Sequence, residues 1–388
     1  MILTLDLETT THNKGNPYDT RNFVVSAHTK VENENTQCIF YDAPDFKTNI
    51  REHLARASLL VGVNLKFDLA HLRNHGLQPP VGCRIWDCMV AEFVLSGQTN
   101  SLAGLNELAA LYKLGQKEDV VKEYWDKGIS TEDIPRDVVE SYGNHDVGLS
   151  YDIYRRQLTD PRITPALHRL ILLSGLDLLV LGDMEWNGFR FDVDGAKFEA
   201  EKLGEELLAV DKELIAFSPH SGINLDSGDQ LSCFLFGGSY DSVVTLPVEK
   251  VYKSGPKKGQ TYTRNEFQYE SIHEFKGFFT PSKGSELAKS TEGRRLYSTA
   301  EDVLSQLKAK TKQQKRIIEL LSRRSYLSKL CGTYLVAFPK LIEDMHWADN
   351  TIHGQFNQTI VRTGRLSSSK PNMQNAPEEV DEFFITRY

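Results

Sequence analysis

The chain has 388 residues, 40% of them hydrophobic and 25% charged, with a formal net charge of -8. That length and apolar content suit two or three globular cores, and the overall acidity argues against a protein that coats nucleic acid non-specifically. Five scattered cysteines (Cys38, Cys83, Cys88, Cys233, Cys331) form no CxxC pair and no Cys/His run, so neither a disulfide framework nor a zinc site is expected and a reducing compartment is.

In chain order, MILTLDLETT reads as a buried strand. It meets two acids at once and has no basic leader, so it is taken as neither a signal peptide nor a membrane span, and no 18-residue apolar stretch is expected elsewhere. SLLVGVN (58–64) reads as a second buried strand, and the strand–helix alternation points to an α/β unit. LNELAALYKLG (105–115) and RDVVESYGNHDVGLSYDIYRRQL (136–158) carry helical periodicity, the first closed by Gly115 and the second opened after Pro135. DPRITP (160–165) reads as a linker, followed by helices over about 166–186 and 196–215.

The charge is unevenly placed. Residues 1–160 hold 16 Lys+Arg against 23 Asp+Glu, whereas residues 245–330 hold 18 against 9. Such asymmetry suits a polyanion partner for the basic part, or a solvated helical face. Within the basic part, KVYKSGPKKGQTYTR (250–264) is Gly/Lys-rich with strand-like flanks and reads as a basic hairpin or loop at Gly255 to Gly259, its lysines running from Lys253 to Lys258. Helical pattern returns from Ser298 to Leu335 with many Lys and Arg along it.

Asp6 and Glu8 are two apart on a predicted strand and therefore project from one face. Side-by-side carboxylates repel unless a cation lies between them, which suits a divalent metal. NLKFD places Asp68 just past the second strand, with Asn64 as a possible helix cap. YGNHD puts Tyr142 and Asp146 at i and i+4 of a helix, on one face. Strand, strand end and helix thus supply four carboxylates and a phenol, the collection that two-metal phosphodiester hydrolysis requires.

DLETT, NLKFD and YGNHD resemble the three exonuclease motifs of the proofreading 3′–5′ exonuclease domain in family A DNA polymerases, the branch with a Tyr in the third motif. WDCMVAEFVLSGQTNSLAGLNELA (86–109) is similar to the segment between the second and third motifs. The resemblance implies a ribonuclease H-like exonuclease domain over residues 1–160 within an α/β protein. It further implies two divalent ions (Mg²⁺ or Mn²⁺), with Asp6 bridging both, Glu8 and Asp146 completing the first site and Asp68 holding the second. Tyr142 would orient the attacking water, and Thr9 and Asn64 would hydrogen-bond near the terminal nucleotide. His145 is read as a helix-surface residue.

Further on, MEWNGFRFD (184–192) and INLDSGDQLSCFLFG (223–237) resemble the entry to the family's polymerase domain, and YSTAEDVL (297–304) the motif before its upper thumb. The resemblance implies a mostly helical thumb region with a basic insertion over 161–345, where Lys315, Arg316, Arg323 and Arg324 would contact DNA phosphates. TGRLSSSKPNMQNAP (363–377) is similar to the family's motif at the start of the palm. This implies an incomplete palm over 346–388, with Thr363, Arg365, Asn372, Gln374 and Asn375 along the template-primer. The palm carboxylates and fingers motifs that should follow do not occur in these 388 residues.

The expectation is therefore the proofreading exonuclease part of a phage-type, split or truncated family A DNA polymerase, cytoplasmic in a bacterial host. It would bind single-stranded 3′ ends and primer-template DNA and would need a second polypeptide with the remaining palm and fingers for nucleotide addition. A free-standing DNA or RNA 3′ exonuclease, a non-catalytic DNA-binding scaffold and an excerpt of a longer polymerase are the competing readings.

Overall fold

The computed structural model of the chain describes residues 1–101, 104–115, 120–252, 259–290 and 294–386. They form a mixed α/β structure with two compact units, one made of residues 1–197 and 334–388 and the other of residues 198–333.

The first unit is built on strands β1 (Ile2–Thr9), β2 (Val24–Val31), β3 (Thr36–Phe40), β4 (Leu59–Gly62) and β5 (Arg84–Asp87), in the spatial order β3-β2-β1-β4-β5. β1 pairs antiparallel with β2 and parallel with β4, so the sheet is mixed with β1 at its centre. Between the strands lie α1 (Phe46–Arg56) and α2 (Leu65–Asn74), followed by α3 (Cys88–Leu95), α4 (Leu105–Tyr112), α5 (Val120–Asp126), α6 (Arg136–Leu158) and α7 (Pro165–Asn187). Leu3, Leu5 and Leu7 alternate along β1 and bury one face against Phe46, Ile50 and Leu54 of α1 and Leu65 and Leu72 of α2. A second core joins Val61 of β4 and Trp86 of β5 to Leu149, Ile153 and Tyr154 of α6.

α7 is long and apolar enough, by length and composition, to cross a bilayer. The helix expected over 166–186 is therefore also an apolar stretch of 18 residues, contrary to expectation, and the structure docks it on the sheet. A Cβ at Gly175 would lie 2.3 Å from the Ile85 carbonyl oxygen, and Ile171, Leu178 and Leu181 are buried. Only a residue without a side chain permits that helix–strand approach.

The linker before α7 is fastened by a buried acid. Glu92 of α3, 1% exposed, accepts hydrogen bonds from Arg162 Nη1 and Nη2 at 3.0 and 3.1 Å and from the Tyr112 hydroxyl at 2.5 Å. Arg162 also bonds Asp160 through Nε and Nη2, so one guanidinium closes the turn and neutralises the carboxylate beneath it.

The remaining elements of this unit are β6 (Phe189–Arg190), the start of α8 (Val193–Ala216) and several segments from residue 334 onward. The second unit carries the rest of α8, α9 (Gly228–Phe236), the long antiparallel ribbon β7 (Gly238–Val251) and β8 (Thr261–Phe275), α10 (Glu301–Leu304) and α11 (Lys312–Lys329). The continuous helix expected over 298–335 is interrupted: α10 ends at Leu304, and Thr311 restarts the chain as α11 with a capping box closed by Gln314. Lys308 and Lys310 lie in the interruption rather than on a helix. The loop Lys253 to Lys258, singled out for its lysines, lies outside the described residues.

The chain after the second unit runs through α12 (Ala337–Asp344), β9 (Thr351–Ile352), β10 (Gln355–Asn357) and β11 (Ser367–Ser369). β9 pairs with β6, and Phe191 packs against Phe338, Phe383 and Phe384. The segment from residue 334 thus completes the core begun by the first 197 residues.

Candidate metal centre

Asp6 and Glu8 leave β1 on the face opposite its leucines, and α6 crosses that face with Tyr142 and Asp146 one helical turn apart. One carboxylate oxygen from each of Asp6, Glu8 and Asp146 lies within 4.8 Å of the others, and this is the metal-ligand cluster found among the described residues. Glu8 and Asp146 are 7% and 3% exposed. Three acids at that spacing and burial repel one another strongly unless a cation joins them, and an all-oxygen donor set suits a hard ion such as Mg²⁺ or Mn²⁺. The residues therefore fit a divalent metal.

Asp68 stands in the first turn of α2, buried, and its Oδ1 accepts the Leu7 N–H at 3.0 Å. Burial, and after it the neighbouring charge of Asp6, pushes its carboxyl well above the usual carboxylate range. It is adjacent to the three-acid cluster rather than part of it. A second ion near Asp6 and Asp68 would relieve the same repulsion.

Asn64 occupies the N-cap position of α2 in the left-handed conformation, yet its side chain makes no cap bond. The cap comes from Asp87, which sequence reading missed. Its Oδ2 accepts the Leu65 N–H at 2.7 Å while its Oδ1 accepts the Met89 and Val90 N–H groups at the start of α3. One buried carboxylate thus fixes the starts of two helices, including the one that carries Asp68. An Asp closing a strand just before Cys-Met-Val was the available signal.

His28 was also missed. It lies opposite Asp6 in the β1–β2 register, fully buried, with Nδ1 donating to Asn144 Oδ1 at 3.2 Å and Nε2 accepting from the Ser26 hydroxyl at 2.9 Å. α6 comes so close that a Cβ at Gly143 would sit 2.3 Å from His28 Nε2. The ring thereby sets the height of the helix between Tyr142 and Asp146.

Burial holds His28 neutral, its pKa pushed down to about 4, and the same cause brings His71 to about 4. Both ordinarily titrate near 6.5, so between those values the unfolded chain takes up protons that the folded chain refuses. Their contribution to stability is complete above about pH 6.5 and is lost as pH falls toward 4, by up to about 3 kcal/mol for each ring. Urea midpoints measured from pH 7.5 to 5 should fall accordingly, and His28→Gln should flatten the slope. An unchanged slope would place the acid sensitivity elsewhere.

Thr9 is buried at the end of β1, and a Cβ at Gly15 would approach Thr9 Oγ1 at 3.1 Å and the Phe67 ring at 3.2 Å, so the loop after β1 closes tightly over this corner. His145 is half exposed, with Nδ1 3.8 Å from Asp146 Oδ1. Thr363, Arg365, Asn372, Gln374 and Asn375 all lie exposed on the first unit; Asn375 is held there by its carbonyl, which accepts the Tyr334 hydroxyl at 2.6 Å.

The basic helix behaves differently from expectation. Arg316 binds Glu213 in bidentate fashion, Arg323 binds Glu206 likewise, and Arg324 binds Asp211 and Asp226. Lys315 has Glu319 at 4.0 Å. As α11 advances from 316 to 323 its partners on α8 retreat from 213 to 206, so these cations tie two antiparallel helices together. Phosphate contact by them would compete with carboxylates already in place.

A central mixed sheet with three converging acids on β1 and α6 defines the first unit as an α/β scaffold with a candidate divalent-metal centre. Sequence comparison adds that residues 248–387 match the family model for DNA polymerase family A. The chain is 27% identical over 323 residues to DNA polymerase I of Synechocystis sp., covering 82% of this chain and 27% of that protein. It is 30% identical over 207 residues to DNA polymerase I of Bacillus subtilis, covering 53% of this chain and 17% of that one. In fold it is similar to the polymerase domain of Pol1 from M. smegmatis, solved in complex with DNA primer-template and dNTP, with TM-score 0.63 and 19% identity over 97% of this chain and 52% of that chain. The chain spans less than a third of the length of these curated relatives.

Proposed function

We propose that residues 1–160 form a ribonuclease H-like 3′–5′ exonuclease domain that removes the terminal nucleotide of DNA, in a proofreading role beside a family A polymerase. The observation that carries this reading is the convergence of Asp6, Glu8 and Asp146 within 4.8 Å, with Asp68 beside them. The similarity to DNA polymerase I proteins makes DNA the substrate of choice.

In this reading Asp6, Glu8 and Asp146 would hold one divalent ion, and Asp6 and Asp68 a second. When bound, such ions polarise the phosphoryl oxygen and lower the pKa of water. The protein supplies the rest. Tyr142, one turn before Asp146, orients the attacking water through its hydroxyl. Thr9 and Asn64 hydrogen-bond the terminal nucleotide, and Asp87 and His28 keep the two helices that carry acids at fixed height over β1.

The second unit is read as a thumb-like region and residues 346–388 as the start of a palm, whose exposed Thr363, Arg365, Asn372, Gln374 and Asn375 contact primer-template. Nucleotide addition would require palm and fingers residues beyond these 388, supplied by further chain or by a second polypeptide. A cytoplasmic site of action, in a bacterial host if the gene is of phage origin, accompanies this reading.

The test is digestion of a 5′-labelled single-stranded DNA with Mg²⁺ and with EDTA, beside an RNA of the same sequence. A ladder shortening from the 3′ end of DNA, abolished by EDTA, supports the reading. Preference for RNA would replace it with a free-standing 3′ exonuclease, and no digestion of either would leave a DNA-binding scaffold.

A further inference from the structure

β7 and β8 form a two-stranded ribbon of 14 and 15 residues, about 45 Å long at the usual rise. Its root is anchored, with Tyr240 and Phe275 buried and their rings stacked with centroids 5.6 Å apart. Toward the other end Leu246, Val251 and Tyr252 are exposed. An isolated two-stranded ribbon is marginally stable in water, so an arm of this length gains from a surface to lie on.

Charge is segregated along it. Residues 238–247 and 265–275 hold four acids and no Lys or Arg, while residues 248–264 hold five Lys/Arg and one acid. The register sorts the distal part further. Lys250 lies opposite Tyr262 and Val248 opposite Arg264, and Tyr252 is two residues beyond Lys250. Directly opposed residues share a face, so Val248, Lys250, Tyr252, Tyr262 and Arg264 project together. Glu249, the one acid of the region, points to the other face with Val251, Thr261 and Thr263. The Tyr252 and Tyr262 rings are 4.5 Å apart at 35°, with the outer part of Tyr252 left to solvent.

We propose that this distal face is a contact for single-stranded DNA, with Lys250 and Arg264 on successive phosphates and the Tyr252 ring under a base. Two cations beside the exposed Tyr252 ring, with Glu249 on the other face and Glu266 next along from Arg264 toward the root, complement a polyanion that also offers π-faces. An acidic protein surface would satisfy the cations but leave the ring without a stacking partner. The inference rests on the reading of the chain as a DNA enzyme and names a surface for the same substrate.

The test uses the whole chain and a 5′-fluorescein 30-mer, single-stranded or as duplex, followed by anisotropy at several salt concentrations. Lys250→Glu with Arg264→Glu should weaken single-strand binding on the order of tenfold and reduce the salt slope by about 1.4, the value for two phosphate contacts. Tyr252→Ala should weaken single-strand binding roughly fivefold or more and duplex binding less than twofold. Circular-dichroism melts should match the wild type. Unchanged binding and slope would overturn the proposal and leave the ribbon to a protein partner, and an equal or larger loss on duplex would overturn the single-strand assignment. Hydrolysis of a trinucleotide, measured in parallel, should be unaffected by these substitutions. Its absence in the wild type would count against the exonuclease reading and not against the ribbon.

Discussion

Replacing Asp6 and Glu8 together by alanine is expected to lower Mg²⁺-dependent removal of 3′ nucleotides by at least about 10³-fold. Metal-derived charge stabilisation amounts to several kcal/mol, and each 1.36 kcal/mol is tenfold in rate. The substitutions take two of the three converging oxygens from the centre and the shared ligand from any second ion. The same variant should melt at the same temperature as the wild type or higher in EDTA, because the cluster is a site of like-charge repulsion when no cation is added. Single-strand affinity should stay within about threefold, since the phosphate contacts lie on other residues. Loss of activity with a lower melting temperature would indicate misfolding instead. Undiminished hydrolysis would remove the cluster from the chemistry altogether.

The second large effect is on stability. Arg162→Ala leaves Glu92 buried with the Tyr112 hydroxyl as its remaining bond from this network. Stripping one partner from a buried ion pair costs about 3–5 kcal/mol. The Arg162 side chain is 39% exposed, and solvent screening brings the expected cost below that range, to about 2–3 kcal/mol. For a unit of this size that corresponds to a fall in melting temperature of roughly 5–10 °C. Adding Glu92→Gln should recover part of the loss, because the orphaned charge disappears with it. A double variant no more stable than Arg162→Ala would mean that the linker turn at Asp160, and not the buried acid, is what Arg162 protects.

Much of the centre was legible because its logic is local. Spacing along MILTLDLETT put Asp6 and Glu8 on one face of a strand without reference to anything distant, and the structure buries Leu3, Leu5 and Leu7 on the other. α6 begins after Pro135 and ends at Leu158, as its periodicity indicates, which put Tyr142 and Asp146 on one stripe. The roles of His28 and Asp87 were not legible, because each depends on a strand register or a helix approach set by residues elsewhere. The lysines and arginines of 308–324 were conspicuous, but the arginines' partners Glu206, Asp211 and Glu213 stand about a hundred positions earlier. Only the antiparallel pairing of α8 and α11 reveals that the arginines face acids. The break before Thr311 was hidden by a composition that suits helix throughout. The strand-like flanks of the basic loop were visible, but the length of the ribbon and the placing of Lys250, Tyr252, Tyr262 and Arg264 on one face required the register.

Lys66, two positions before Asp68, donates at 2.6 Å to both Glu185 Oε1 and the Phe356 carbonyl, and the same Glu185 oxygen accepts the Phe356 N–H. Phe356 is 290 residues downstream of the lysine it binds. At about 5–20 residues per second on the ribosome, roughly 15–60 s separate the emergence of the two. Through that interval α2 is held by its Asp87 cap, its packing on β1 and the Lys66–Glu185 pair. The helix bearing Asp68 acquires this last clasp only after the whole second unit has been made, so a stalled or prematurely ended translation product would carry the acids of the centre with one tie of α2 still missing.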